Sequence, residues 1–188
     1  MPNISATDIR KGLILRVDGQ LYAVVDFEHI TPGKGQAVMQ TKLRHIQAGH
    51  HTNKRFRSSE KVEQVFLQTQ EMEFLYRDGD SYCFMNTQTY EQTLIPDELL
   101  GDLDRFLSHN ALVRVVFYEG RAISVDVPAA VVLEVIETEP GVKGDTVTNV
   151  FKPATLDTGL QVRVPLFVKK GDKVKVDTRT GEFMERAS

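Results

Sequence analysis

The segment HITPGKGQAV, residues 29–38, holds the clearest candidate for a chemical group. Lys34 stands between Gly33 and Gly35, behind Pro32, in a loop flanked by strand-like sequence. Proline fixes one φ angle, and the two glycines permit the positive φ values that a chain reversal can require. The Lys34 ammonium therefore stands alone on a flexible stem, open to a modifying enzyme or to another backbone. A solvated turn lysine is the simpler interpretation of this hexapeptide taken alone.

Other residues whose side chains could catalyse a reaction or bind a metal do not combine into a site. The GKG triplet lacks the Ser or Thr and the following helix of a phosphate-binding P-loop. Asp78 and Asp80 flank a turn glycine and are typical turn formers, and Cys83 lies in an apolar strand pattern that indicates a buried thiol. The histidine spacing fits no common zinc motif: His45, His50 and His51. The sequence predicts neither an enzyme nor a metal protein.

Charge is segregated along the chain, whose net charge is −3. Residues 1–63 hold ten Lys/Arg and six Asp/Glu, residues 64–127 hold four and eleven, and residues 128–188 hold nine and nine. A basic first third can meet a polyanion that an acidic middle third would repel. Only part of the protein is expected to approach nucleic acid, although chance unevenness among solvated surfaces explains the counts equally well.

The elements that must position these residues are mostly strands. Period-two alternation and turn signals predict strand segments, the first two of which flank the Lys34 loop: 21–30, 37–46, 52–59, two in 72–86, two in 111–128, and others in 131–141, 159–171 and 173–186. One helix is predicted over 96–109, where Pro96 precedes a run of acids and leucines. It is expected to cap a barrel.

The chain is long enough for two to three small cores. About five short strands per 60 residues is the scale of an OB-type or SH3-like barrel, so three barrels are predicted, over residues 1–63, 64–127 and 128–188. A fixed, elongated arrangement is expected, since neither junction is a long flexible linker. No apolar run of membrane-spanning length and no secretory pattern occurs, so a cytoplasmic location is expected.

Three segments resemble the bacterial elongation factor P family: PGKGQA at 32–37, FMNTQTYEQ at 84–92, and GVKGDTVTNVFKPATLDTGLQVRVPLFVKKGDKVKVDTRTGEF at 141–183. The similarity runs over essentially the whole chain, and the third segment is the most specific. It implies a mainly β fold with an N-terminal KOW/SH3-like domain and two OB-type barrels, arranged somewhat like a tRNA. Such factors enter the 70S ribosome between the P and E sites when synthesis stalls at consecutive prolines.

The resemblance also implies roles for particular residues. Lys34 aligns with the family's modified residue, so a covalent lysine-type group added by a dedicated enzyme is expected, and no other cofactor. Its hairpin would reach the CCA end of the P-site tRNA and position it for peptide-bond formation without catalysis by the factor. Basic strand residues would contact RNA phosphates, although each singly fits a solvated face equally well: Lys42, Arg44, Arg55 and Arg57.

The remaining implied contacts lie in the other two thirds. A polar loop with Gly144, Asp145 and Thr146, followed by Lys152, would face the small subunit and the E-site codon, with Lys152 on phosphate; Asp145 and Thr146 alternatively only cap a turn. The acidic middle third suits a protein of the L1 stalk better than rRNA. The factor is expected to be a monomer and not to associate with a membrane.

Two other functions fit parts of the sequence. A carrier domain would explain a lysine at a hairpin tip as the attachment point of a swinging prosthetic group, but it would leave two barrels without a role. A general OB-type RNA-binding protein would need stacking aromatics, and the sequence contains no Trp. Intact mass distinguishes the carrier, because a lipoyl or biotinyl adduct has its own mass.

Overall fold

A computed structural model of the chain describes residues 2–141 and 150–187. They form a mainly β fold of three sheets, in agreement with the period-two pattern of the sequence. Contacts between Cα atoms divide the chain into two compact units, Met1–Gln68 with Val116–Ser124, and Thr69–Val115 with Val125–Ser188. Within the described ranges no helix has the length and apolar character needed to cross a membrane.

The first sheet has six strands: β1 (Asn3–Ser5), β2 (Ile14–Val17), β3 (Gln20–Ile30), β4 (Val38–His45), β5 (His51–Arg57) and β6 (Lys61–Val65). A 3-10 helix, Ala6–Asp8, follows β1, and the strand order is β1-β6-β2-β3-β4-β5. The core packs on one face of this sheet and is made by Ala6, Ile9, Leu15, Val17, Val24, Met39, Leu43, Phe56 and Val62. β6 runs through Val65, two residues past the sequence-based boundary at 63.

The second sheet has five strands: β7 (Gln68–Asp78), β8 (Ser81–Asn86), β9 (Gln92–Pro96), β10 (Leu112–Tyr118) and β11 (Arg121–Asp126), in the order β11-β10-β7-β8-β9. The predicted turns at Gly79 and Gly120 join β7 to β8 and β10 to β11, and both glycines have positive φ. Cys83 on β8 is buried and free, as predicted.

The third sheet has five strands: β12 (Ala130–Thr138), β13 (Phe151–Leu156), β14 (Gln161–Pro165), β15 (Lys173–Asp177) and β16 (Phe183–Arg186), in the order β14-β13-β12-β15-β16. β15 and β16 form the predicted hairpin around Gly181, whose φ is 75°. β13 was not predicted, because Lys152 and Thr155 are polar and its sequence was interpreted as part of a polar loop.

The helix predicted over residues 96–109 is wrong in extent. The only α-helix in the described part of the chain, α1, covers Asp97–Leu100, and a 3-10 helix follows over Gly101–Phe106. Gly101 has φ 51° and ψ −129°, so it ends α1 after about one turn. The apolar pattern still marks the buried side: Leu100, Phe106 and Leu107.

Phe106 belongs to the core of the third sheet. Its side chain is 1% exposed and packs in one cluster with Leu133, Val135 and Leu156. The Thr158 hydroxyl donates a hydrogen bond of 2.5 Å to the carbonyl oxygen of the preceding residue, Arg105. A segment assigned from sequence to the middle barrel therefore completes the core of the third.

This packing predicts a large stability effect for Phe106→Ala. Removing a fully buried phenylalanine is expected to lower the free energy of unfolding by about 3–5 kcal/mol, through lost transfer energy and the cavity left behind. Phe167→Ala is the matched control, because that ring is 58% exposed and its loss is expected to cost about 0.5 kcal/mol. Urea titration of both variants measures the difference, and equal losses would contradict the shared core.

Candidate nucleic-acid interface

The β3–β4 hairpin positions the Lys34 loop. Antiparallel pairing runs from Tyr22 opposite His45 to Ile30 opposite Val38, with a β-bulge at Val25 that shifts the register by one residue. Beyond the bulge, five consecutive pairs hold the end of the hairpin. The loop thus projects from a hydrogen-bonded ladder.

Lys34 lies in the loop between Ile30 and Val38 and is exposed. Gly35 has φ 122°, a conformation that side-chain-bearing residues rarely adopt, whereas Gly33 does not have positive φ. A Cβ built on Gly33 would meet nothing within 4 Å, so the space beside the lysine is open. Among the described residues, no hydrogen bond or ion pair engages the Lys34 ammonium.

The base of this loop is tied to the neighbouring strand. The Ser58 N–H donates to the Ala37 carbonyl oxygen at 3.0 Å, and the Ser58 hydroxyl lies 3.2 Å from His29 Nε2. Deeper in the sheet, the buried Thr41 hydroxyl donates to the Lys54 carbonyl oxygen at 2.8 Å. β5 therefore braces β4 along the length that leads to the loop.

The four basic side chains predicted to contact phosphate share one face of the sheet. The register pairs Gln40 with Arg55 and Val38 with Arg57, so both arginines point to the same side as Lys42 and Arg44. All four are exposed, while the alternate residues of β4 are buried. His51, opposite Arg44, adds a fifth nitrogen-bearing side chain that the sequence analysis did not include in the set.

Two carboxylates border this basic face on β3. Asp26 lies opposite Lys42, and Glu28 lies opposite Gln40. Lys11, a residue that sequence reasoning missed, places its Nζ 3.0 Å from Asp26 Oδ1. Hydrogen bonds from the Lys11 ammonium and then from the Phe27 N–H lower the pKa of Asp26, and Lys42 contributes least. The carboxylate of Asp26 is thus held by Lys11 rather than by Lys42 of the basic face.

Lys54 lies beside Arg55 in the sequence but does not join this face. Its Nζ is 2.9 Å from Asp18 Oδ2 and lies 5.9 Å from the centre of the Phe56 ring. Alternation along β5 places Lys54 and Phe56 on the side opposite the two arginines. This cation is thus paired within the fold.

The predicted small-subunit loop lies largely outside the described residues, including Gly144, Asp145 and Thr146. Lys152 is described, and its position differs from the expectation of a phosphate contact. It is only 6% exposed, because alternation along β13 turns it toward the core side, and its Nζ donates to the Glu139 carbonyl oxygen at 2.6 Å. The ammonium thus links Lys152 to Glu139, the two residues that flank the loop.

The described residues contain no group of three or more His, Cys, Asp or Glu side chains placed to hold a metal ion. His45, central to the histidine cluster in the sequence, is instead structural. Its Nδ1 accepts from the Ala48 N–H at 2.9 Å, so the proton is on Nε2, which donates to Gln20 Oε1 at 3.1 Å.

Family models match nearly the whole described chain. The "Elongation factor P (EF-P) KOW-like domain" matches residues 5–62, the "Elongation factor P (EF-P) OB domain" matches 67–125, and "Elongation factor P, C-terminal" matches 131–186. The chain belongs to the elongation factor P family. The KOW-like and OB assignments agree with the fold expected from the sequence.

Curated relatives support the same elongation factor P membership at full length. The Elongation factor P of Caldanaerobacter subterraneus subsp. tengcongensis is 49% identical over 183 residues, covering 97% of this chain and 99% of the relative. That of Desulfovibrio desulfuricans is 50% identical over 182 residues, covering 97% and 98%. These relatives are elongation factors by name.

Solved structures share the fold at low identity. A translation initiation factor 5A from Methanococcus jannaschii has a TM-score of 0.52 at 22% identity, covering 66% of this chain and 93% of that one. A translation initiation factor 5A family protein from Naegleria fowleri also has a TM-score of 0.52, at 13% identity, covering 67% and 98%. At these identities the likeness concerns the fold.

The Lys11–Asp26 pair predicts an acid-side effect that can be measured. Since the folded-state pKa of Asp26 is lowered, the pair contributes stability above the unfolded pKa of about 3.9, and this stability is lost as the pH falls through the folded pKa. Lys11→Ala is expected to raise the pKa of Asp26 toward its usual value in an NMR titration of the carboxyl carbon.

Lys42→Ala is the matched control for this titration. Lys42 acts on Asp26 only through longer-range attraction, so a smaller rise is expected. Equal rises in the two variants would show that Lys42 lowers the pKa of Asp26 as much as Lys11 does, which would contradict the assignment of Asp26 to Lys11.

Proposed function

We propose that this member of the elongation factor P family is a cytoplasmic, non-catalytic translation factor of the 70S ribosome. It binds between the P and E sites and relieves stalling at consecutive prolines. Its three domains span residues 1–63, 64–127 and 128–188. The observation that carries the proposal is the exposed Lys34, free of partners within the described residues, at the end of a braced hairpin.

Lys34 acts by positioning rather than by chemistry. A cationic arm that reaches the CCA end of the P-site tRNA restricts the motion of a poorly reactive prolyl group, which lowers the entropic part of the barrier to peptide-bond formation. A lysine-type extension added by a modifying enzyme would lengthen the arm and add donors for the tRNA backbone. The open space beside Gly33 and the positive φ of Gly35 support access to the lysine by both the enzyme and the tRNA.

The basic face of β4 and β5 would bind the tRNA or rRNA backbone. Lys42, Arg44, Arg55 and Arg57 point to the side of the sheet away from its core. Binding of phosphates by these side chains releases condensed counterions, so affinity for the ribosome would fall as salt rises. This face and the Lys34 loop are parts of one hairpin and its neighbouring strand, so contact along the face would direct the loop.

Two further partners belong to the same proposal. The loop with Gly144, Asp145 and Thr146 would meet the E-site mRNA codon on the small subunit, with Lys152 holding its base rather than contacting phosphate. The acidic middle domain would face a protein of the L1 stalk. The factor would act as a monomer and without a bound cofactor.

The Lys34 arm is tested by Lys34→Ala. Because the side chain is exposed and free of partners in the described structure, the melting temperature is expected to stay unchanged. Synthesis through a polyproline segment in a reconstituted translation system is expected to fall to the level without the factor. Gln36→Ala, an exposed residue of the same loop, is the matched control and should keep full activity. Full activity of Lys34→Ala would remove the arm from the mechanism.

The basic face is tested by charge reversal. Arg55→Glu with Arg57→Glu should weaken ribosome binding by at least about tenfold and reduce its salt dependence by about two counterions. Lys61→Glu, on β6 of the same sheet, is exposed and is expected to change little. If the double variant binds with the affinity and salt slope of the unaltered chain, these arginines are only solvated.

A further inference from the structure

Three hairpin turns of the chain share one hydrogen-bond pattern, at residues 45–50, 86–91 and 177–182. In each, the N–H of the first residue donates to the carbonyl oxygen of the sixth, and the carbonyl oxygen of the first accepts from the N–H of the fifth, all at 2.8–2.9 Å. In each, the side chain of the first residue also accepts a main-chain N–H inside the turn: His45, Asn86 and Asp177.

The fifth position of all three turns is left-handed. Gly49 and Gly181 occupy it with φ 76° and 75°, as expected for a conformation that penalises a Cβ. Tyr90 occupies it in the middle turn with φ 60°. A bulky residue in this conformation is an outlier, and its two counterparts show which residue the turn itself favours.

Packing inside the fold does not account for Tyr90. The side chain is 70% exposed, and none of the aromatic or cation–π pairs found among the described residues includes its ring. The strained backbone is therefore not offset by contacts of the ring that the structure describes. A contact with another molecule would account for a tyrosine at this position.

The middle turn is also held rigidly. Asn86 Oδ1 accepts from the N–H groups of Gln88 and Thr89, and Asn86 Nδ2 donates to Gln70 Oε1 at 2.9 Å. The Thr87 N–H donates to the Glu71 carbonyl oxygen at 3.2 Å, which ties the turn to β7. A ring presented by such a turn loses little conformational freedom on binding.

Charge around the turn selects the class of partner. No Lys or Arg occurs between Arg77 and Arg105, a stretch with seven Asp or Glu residues, and the region 64–127 carries a net charge of −7. Glu91 and Glu71, both exposed, lie next to Tyr90 in the turn and on the strand that the turn contacts. These carboxylates would repel phosphates and attract Lys or Arg.

We propose that the turn at residues 86–91 docks on a Lys- or Arg-rich segment of a ribosomal protein. Tyr90 places its ring against an Arg or Lys side chain of the partner, and Glu71 and Glu91 pair with neighbouring cations. This inference rests on the proposed function, because it takes the ribosome as the place of binding. It assigns to the acidic middle domain a defined contact surface and an aromatic anchor.

Tyr90→Gly separates a docking role from a structural one. Glycine suits the left-handed position, so the melting temperature is expected to stay the same or rise, whereas affinity for 70S ribosomes is expected to fall at least about tenfold. Gln88→Ala, an exposed residue of the same turn, is the control for local surface change. Gly49→Tyr places a tyrosine in the equivalent turn of the first sheet and is expected to lower the melting temperature.

A photo-cross-linking residue at position 90, Tyr90→p-benzoylphenylalanine, identifies what the turn contacts on purified 70S ribosomes. Attachment to a Lys- or Arg-rich segment of a ribosomal protein, together with weaker binding of Tyr90→Gly, would support the proposal. Attachment to RNA, or an unchanged affinity of Tyr90→Gly, would overturn it while the unaltered chain still relieves polyproline stalling. A chain that neither binds ribosomes nor relieves stalling would contradict the proposed function itself.

Discussion

Alternation along β4 is the constraint on which the first sheet depends. Met39, Thr41 and Leu43 are buried on one side, so the residues between them must point outward. A slip of one residue would bury Lys42 and expose the core row, at a cost far above what any surface contact supplies. The buried Thr41 hydroxyl, bonded to the backbone of β5, fixes the same register from the polar side. The orientation of the basic face follows from the core behind it.

Sequence reasoning succeeded where the signal is local. Alternation and turn glycines are properties of a few neighbouring residues, and they predicted the β3–β4, β7–β8, β10–β11 and β15–β16 hairpins and the exposed Lys34 loop. It failed for the helix over 96–109, because Gly101 interrupts a pattern that apolar spacing alone supports. The packing of Phe106 in the core of the third sheet could not be predicted either, because Leu133, Val135 and Leu156 lie more than 25 residues away in the sequence.

Around the candidate site, too, the features set by neighbouring residues could be predicted and those set by long-range contacts could not. That Lys42 and Arg44 share a face follows from period two, but the position of Asp26 depends on the bulge at Val25, which the sequence does not mark. Lys11 lies in the turn before β2, and its pairing with Asp26 on the adjacent strand β3 is a tertiary contact that no local pattern marks. This contact decides that the carboxylate is held by a residue outside the basic face. Lys152 was expected to be exposed because its sequence resembles a polar loop. The segment is instead strand β13, and alternation along that strand buries the lysine.

Charge segregation gains a physical meaning from these placements. Strong uniform basic charge would favour non-specific adhesion to any RNA, whereas a chain with one basic sheet and one acidic region can approach a ribonucleoprotein only in orientations that match its charges. The basic face and the acidic turn at 86–91 belong to different sheets, and in the proposed function each would restrict orientation through its own contact. A flexible lysine at a loop tip gives little directional information by itself, because its stem samples many rotamers. If Lys34 acts as the proposed arm, its accuracy must come from surfaces elsewhere on the chain, and an acidic region is then compatible with a protein that approaches RNA.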